Sequence, residues 1–219
     1  MFRKKRHNGA EGVTMNFLAV PFPQWLTDWD LAVDTWIQTW HTPWLDKIFT
    51  VITRLGDEGN IWIVLAVILL CFKKTRKIGI TMGLGLIITT ILGNEILKKI
   101  VERPRPFDTP GALLDGDSLL VPRPGQYSFP SGHTGSSFAS AVSIVLYDRK
   151  LGIPALILAV LIAFSRLYVY VHFPTDVMAG TVLGTLSALI AFFLWRKWLE
   201  KLVVKGWNKL FKKHTIEHI

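Results

Sequence analysis

Apolar residues fall along this chain in blocks of helical length, separated by short polar and basic breaks. Residues 60 to 72, from Asn60 to Phe72, are almost entirely apolar. Residues 78 to 97 repeat that character over about the twenty residues that a helix needs to cross a bilayer. A third apolar helix is expected from about Gly132 to Tyr147 and a fourth from Ile153 to Tyr170. Pro174 opens a fifth, because proline fits the first turn of a helix, where an N–H would have no partner anyway. That helix ends at Trp195-Arg196-Lys197 and continues into a basic amphipathic tail. The pattern predicts an all-α fold, a polytopic membrane helical bundle of about five or six spans with an amphipathic N-terminal interfacial segment.

The segment from Phe22 to Gly56 breaks the rhythm, because Asp28, Asp30, Asp34, Gln38, His41 and Asp46 interrupt a Trp- and Leu-rich pattern. One reading makes it one or two amphipathic helices in the membrane interface, anchored by Trp25, Trp29, Trp36, Trp40 and Trp44. The other makes it a sixth, weakly hydrophobic span. The chain then divides into an N-terminal tail (1–21), the amphipathic helices or weak span (22–59), a membrane core (60–198) and a basic cytoplasmic tail (199–219). It shows no internal repeat and no low-complexity stretch.

Charge fixes an orientation. The net value is +9, and the basic residues sit in short clusters between apolar runs, which suits a membrane protein rather than a nucleic-acid binder. Lys73-Lys74-Thr75-Arg76-Lys77 is a tight basic turn that belongs in the cytoplasm. Counting crossings from it puts Asp148-Arg149-Lys150 and the tail on the same side, and residues 98–132 and 171–174 on the extracytoplasmic side. Under the interfacial reading the basic Arg3 to Arg6 stay outside, against the positive-inside rule, so the N-terminus favours the sixth span. Residues Met1 to Met15 do not read as a signal peptide, since no apolar stretch follows their basic residues, and Met15 offers an alternative start. The single Cys71 lies in an apolar run, where a buried thiol is expected and no intrachain disulfide can form.

Three polar clusters break the apolar pattern on the extracytoplasmic side, where ionisable groups are costly and therefore functional candidates. The first is Lys98 with Arg105-Pro106, a point charge and a planar fork, both suited to phosphate oxygens. The second is Pro130-Ser131-Gly132-His133 at the start of the third span: Ser131 can cap the helix, Gly132 admits close approach, and the first-turn N–H groups form an anion site beside His133. The third is Ser165-Arg166 with His172 and Asp176, where a carboxylate one turn on can accept the Nδ1 proton and leave Nε2 as a nucleophilic lone pair. Singly, each cluster also reads as a snorkelling helix end, a capped helix start or a turn-closing hydrogen bond. Together they supply the parts of phosphoryl transfer: cations, a helix-terminal anion site, an oriented nucleophile and an acid–base His. No cysteine cluster, His-Glu-x-x-His or Gly-rich phosphate loop is present in the sequence, so no metal or nucleotide cofactor is expected.

Taken as a set, Lys98 with Arg105-Pro106, Pro130-Ser131-Gly132-His133, and Ser165-Arg166 with His172 and Asp176 resemble the three-part signature of the type 2 phosphatidic acid phosphatase superfamily. The resemblance covers about residues 43 to 198. It implies His172 as nucleophile, Asp176 as its orienting partner, and His133 as the acid and then the base. It implies Lys98, Arg105, Ser131, Gly132 and Arg166 as the phosphate cradle. The implied activity is metal-independent hydrolysis of a membrane lipid phosphate or diphosphate through a phosphohistidine. A polyprenyl diphosphate is favoured over phosphatidylglycerophosphate and phosphatidic acid, because the loop from Phe107 to Phe129 offers little for a large headgroup. A lipid phosphotransferase using the same intermediate is a second reading. A transporter that only holds anionic headgroups is a third, and leaves His133, His172 and Asp176 without work. The partners expected are the lipid bilayer and the lipid substrate, with no nucleic acid and no obligate protein partner.

Overall fold

A computed structural model describes residues 22–199. The expected N-terminal tail, with Arg3 to Arg6 and Met15, and nearly all of the expected C-terminal tail lie outside the described residues. Among the described residues the structure is all-helical: α1 (Gln24–Gln38), α2 (Pro43–Leu55), α3 (Asn60–Cys71), α4 (Arg76–Thr90), a π-helical stretch (Ile91–Leu97), α5 (Lys98–Val101), α6 (Gly132–Val145), α7 (Arg149–Tyr168) and α8 (Pro174–Leu194).

The boundaries follow from local chemistry. Ser131 caps α6, and Asp148 caps α7 by accepting from the backbone N–H groups of Lys150 and Leu151 at 2.8 and 3.2 Å. Pro174 occupies the first turn of α8, and the Asp176 carboxylate accepts the N–H of Phe173 at 2.9 Å. Glu102, at φ 48°, ends α5 in the left-handed conformation and turns the chain into the loop that carries Arg103 and Arg105.

Helix α6 stands at the centre, packed on α4, α7 and α8, while α3 closes on α4. The α6–α8 contact is a backbone contact. A Cβ on Gly184 would lie 2.3 Å from Gly135 O, and one on Gly180 would lie 2.7 Å from Ser131 O. Small residues let helices approach this closely where lipid, not water, surrounds the bundle. The interior also holds Ser137, Ser140 and Ser143 of α6, and Trp62 of α3 donates to Ser137 Oγ at 2.9 Å. Large side chains point outward instead: Ile153, Ile157 and Val160 on α7, and Met178, Val182, Leu186, Ile190 and Phe193 on α8, are all exposed. A polar, small-residue interior under an apolar exterior is the pattern of a protein whose solvent is lipid.

Among the described residues, three helices are long and apolar enough to cross a membrane: Arg76–Asp108, Arg149–Tyr168 and Pro174–Lys197. Helices α3 and α6, with 12 and 14 residues, are shorter than the expected spans. Helices α1 and α2 lie at the end of the bundle where the loops after α5 and α7 meet. Helix α2 packs against α7, with the Tyr168 hydroxyl donating to Asp46 at 2.6 Å and Gly56 against Ile162. Helix α1 buries Asp30, Asp34 and Ile37 and turns Trp25, Trp29 and Trp36 outward, and α2 exposes Trp44, Ile48, Val51 and Leu55 as one stripe. Cys71 departs from the expected burial: it is exposed at the end of α3, since that face of the helix has no neighbour to cover it.

The glycine contacts make a direct prediction. Gly184→Ala places a methyl carbon into the backbone of α6 and should cost more than about 3 kcal/mol, whereas Gly83→Ala, whose Cβ would meet nothing within 4 Å, should stabilise α4 by up to about 1 kcal/mol. Thermal unfolding of the purified variants in detergent checks both signs.

Candidate active site

The first turn of α6 comes first in the site because α8 holds it. Ser131 N donates to Asp176 O at 3.1 Å, so the start of α6 is pinned to the first turn of α8. The Ser131 hydroxyl in turn accepts from Thr134 Oγ1 at 3.0 Å. Helix geometry leaves first-turn N–H groups without intrahelical partners, and they point at the space in front of Ser131 and Gly132. A Cβ on Gly132 would come within 3.2 Å of Asn94 Oδ1, so the close approach expected at this glycine is to the π-helical stretch after α4. His133 leaves the same turn, and its Nε2 lies 3.0 Å from Asp57 Oδ1, in the connection between α2 and α3.

His172 is delivered by the short link between α7 and α8. Tyr170, fully buried at φ 58°, reverses the chain two residues earlier. The imidazole is 2 % exposed, with Nε2 3.4 Å from Arg105 Nη1. Its Nδ1 lies 3.5 Å from Asp176 Oδ2, and no hydrogen bond closes between them. The sequence pattern anticipated that bond; the structure brings the pair to ion-pair distance with Oδ2 already accepting from Ser128 Oγ at 2.7 Å and from Phe173 N. Catalytic hydrogen bonds are commonly long without substrate and shorten when charge develops.

The cations arrive from two directions. The π-helical stretch before α5 changes the register of the long helix, and Lys98 follows it, buried, with Nζ donating to Gln126 Oε1 at 2.9 Å. Arg105 donates through Nε to Gln126 O and through Nη1 to Val171 O, both at 2.7 Å. Arg166 on α7 donates from Nη1 to Thr53 Oγ1 of α2, and its Nε has no partner. Apart from the His172 ring nitrogen beside Arg105, these partners are neutral oxygens, which fix the cations without neutralising their charge.

One cavity of about 530 Å³ collects these groups. Lys98, Arg105, Ser131, Gly132, His133, Arg166 and His172 line it, so seven of the eight residues expected from the sequence share one space, with Asp176 behind His172. A second cavity of about 780 Å³ shares Asn94, Lys98, Arg105, Pro124, Gly125 and Gln126 with the first and adds Lys99 and Arg123. Burial, and then the charges of Arg105, Arg166 and Lys98, hold the His172 imidazole well below the ordinary histidine value. The neutral ring keeps a lone pair for attack.

Asp57, Gln126, Ser128, Thr53 and Arg103 were not among the expected site residues. Only Arg103 carried a sequence signal, its place in Arg103-Pro104-Arg105-Pro106; the others are ordinary polar residues until the fold brings them near.

Comparison with known proteins gives the same region a relationship. The model of the PAP2 superfamily matches residues 77–200. The undecaprenyl-diphosphatase of Sulfolobus acidocaldarius is 39 % identical over 142 residues, covering 64 % of this chain and 66 % of its own. The undecaprenyl-diphosphatase BcrC of Bacillus subtilis is 32 % identical over 186 residues, covering 80 % of this chain and 91 % of its own. The crystal structure of the PAP2-type phosphatidylglycerolphosphate phosphatase of Bacillus subtilis superimposes with a TM-score of 0.62 at 29 % identity, covering 82 % of this chain and 88 % of that one.

The electrostatics of His172 predict a pH dependence. A histidine whose proton affinity is lowered stays neutral down to a pH below its ordinary value and loses its lone pair only beneath that. The rate kcat/KM should therefore hold from pH 8 to about 6.5 without loss from His172 protonation. Titration of ¹⁵N-labelled imidazole by NMR beside the rate profile checks it; His172 protonating at pH 7 would contradict the reading.

Proposed function

The chain belongs to the PAP2 superfamily, and from that premise we propose that it hydrolyses the terminal phosphate of a polyprenyl diphosphate through a phosphohistidine on His172. At the coarser level it is a lipid phosphatase of the PAP2 type. The observation that carries the finer reading is the single cavity in which three cations with neutral partners face a buried, neutral imidazole and a helix N-terminus.

The geometry of the site supports the following steps. The phosphoryl group sits among Lys98, Arg105, Arg166 and the first-turn N–H groups of α6. Nε2 of His172 attacks phosphorus, forming the P–N bond as the P–O bond to the lipid breaks. His133 gives its proton to the leaving oxygen. Positive charge develops on the imidazole, and Asp176, 3.5 Å from Nδ1, balances it. Water then attacks phosphorus, His133 takes a proton from it, and the P–N bond breaks to release inorganic phosphate. Arg105, held by three main-chain carbonyls at 2.7 to 3.5 Å, cannot follow the departing group, so its charge stays where the transition state needs it.

Two observations support a diphosphate over a monoester. The second cavity shares Lys98 and Arg105 with the first and extends past them to the ion pairs Lys99–Glu95 and Arg123–Asp108, giving the phosphate left on the lipid room beside the two shared cations. Two relatives of this chain carry the name undecaprenyl-diphosphatase. The short helices α1 and α2, with tryptophans turned outward, fit a segment lying in the interface above the site. With the basic turn at Lys73 to Lys77 in the cytoplasm, the site faces the extracytoplasmic side.

Purified protein in detergent micelles should release inorganic phosphate from undecaprenyl diphosphate faster than from phosphatidylglycerophosphate or phosphatidic acid, and hardly at all from glucose 6-phosphate. One phosphate per lipid, unchanged by EDTA, is expected, and His172→Ala should lower kcat by at least about 10⁴-fold. Preference for the glycerolipid would replace the substrate; transfer to a second lipid without free phosphate would make the protein a phosphotransferase; full activity of His172→Ala would end the mechanism.

Orientation has its own test. In a Cys71→Ser background, Gly125→Cys should react with a membrane-impermeant thiol reagent in intact cells, and Lys74→Cys should react only after lysis. Both positions are exposed in the structure, so the reverse pattern would place the site on the cytoplasmic side.

A further inference from the structure

Arg103 lies outside the cavity that holds the nucleophile, though it lines the second one, and no step above uses it. It is nevertheless 3 % exposed and held on every side. Nη1 donates to Asp176 Oδ1 and to Thr175 Oγ1, both at 2.7 Å, and Nη2 donates to Asp30 Oδ2 at 2.6 Å. The rings of Phe22 and Phe173 lie over the guanidinium at 3.9 Å each. Asp30, itself fully buried on α1, is fixed by the N–H of Thr175 at 3.0 Å. One guanidinium thus bridges two buried carboxylates, one on α1 and one beside His172.

Burying such a cluster is expensive, and capping α8 does not require it. The cap is made at Asp176 Oδ2, by Phe173 N and Ser128 Oγ. What Arg103 adds is on the other oxygen. It ties down Oδ1, and that fixes the carboxylate plane with Oδ2 turned to Nδ1 of His172 at 3.5 Å.

Resting on the assignment of His172 as nucleophile, we infer that Arg103, clamped by Asp30, is a positioning residue that aims Asp176 at His172 and makes α1 part of the catalytic apparatus. The local charge count fits that role. Asp34, also on α1 and fully buried, has neither oxygen hydrogen-bonded, and burial followed by the charges of Asp30 and Asp176 pushes it up to about 9, so it is neutral. Arg103 therefore faces two carboxylates, and Asp30, Arg103 and Asp176 together carry one net negative charge. That charge meets the positive charge that appears on His172 when the P–N bond forms. Without Arg103 two buried carboxylates would repel each other, and one would take up a proton or turn away.

The test is a mutant cycle read on kcat and KM with the lipid that turns over fastest, beside thermal unfolding in detergent. Arg103→Met should lower kcat by about 100-fold with KM within about threefold, because an orienting contact acts on the transition state rather than on substrate binding. Arg103→Lys should recover at least tenfold of that loss, and Asp30→Asn should lower kcat by about tenfold. In an Asp176→Asn background, Arg103→Met should cost no more than about twofold further, since its effect runs through the lost carboxylate. Independent, multiplying losses would overturn the inference, as would an Arg103→Met enzyme within threefold of the parent or a loss confined to KM. If Arg103→Met does not fold, Asp30→Asn and Arg103→Lys decide the matter by the same kcat-against-KM criterion. Full activity of His172→Ala would instead sink the phosphohistidine reading on which the inference rests, whatever Arg103 does.

Discussion

The close backbone approach of α6 to α8 is the constraint on which the site depends. Glycine at 180 and 184 removes the side chains that would hold the two helices apart, and Ser131 N then reaches Asp176 O. That single hydrogen bond sets the anion-binding turn of α6 against the turn that carries Asp176. Neither helix could present its half of the site alone. A methyl group at Gly184 would have to push the two helices apart, and a shift of about 1 Å is enough to misalign the proposed in-line attack.

Around that contact the protein arranges charge in an unusual way. Lys98, Arg105 and Arg166 are buried close to one another, and their hydrogen bonds go to Gln126, main-chain carbonyls and Thr53. Neutral acceptors fix a cation without quenching it, so the field in the cavity is left for an incoming anion to satisfy. On the far side of His172, Asp30, Arg103 and Asp176 form their own network, while Asp57 pairs with His133 and Glu58 lines the cavity. The imidazole thus sits between a positive face, which lowers its proton affinity and frees its lone pair, and a negative face, which would stabilise the charge that the proposed attack puts on the ring.

The surroundings explain why this polar centre coexists with an apolar chain. Serine, alanine and glycine occupy the inner faces of α6 and α8, and isoleucine, valine and phenylalanine face outward on α7 and α8. In lipid, apolar surface is not driven inward, so small residues and hydrogen bonds hold the bundle together. The tryptophan-bearing α1 and α2 lie across the same end of the bundle as the cavity.

Much of this was legible in the sequence, because apolar runs of helical length, basic turns and capping residues act locally. Pro174 and Ser131 mark helix starts whatever surrounds them, and the eight expected residues stand out because charge and histidine are costly beside long apolar stretches. The partners of those residues were not legible. Asp57 reaches His133 across 76 positions, Gln126 reaches Lys98 across 28, and Asp30 reaches Arg103 across 73. In the sequence Asp30 and Asp34 read as polar interruptions of an amphipathic helix, since composition cannot tell a carboxylate facing water from one facing a buried guanidinium. The glycines on α6 and α8 were equally silent, because a missing side chain gains meaning only from the backbone that comes to fill its place. The sequence by itself determined which groups are the candidates for chemistry and which segments become helices. The tertiary structure alone decided their register, through the π-helical stretch before Lys98 and the glycine contact of α6 with α8, because register depends on atoms that only folding brings within reach.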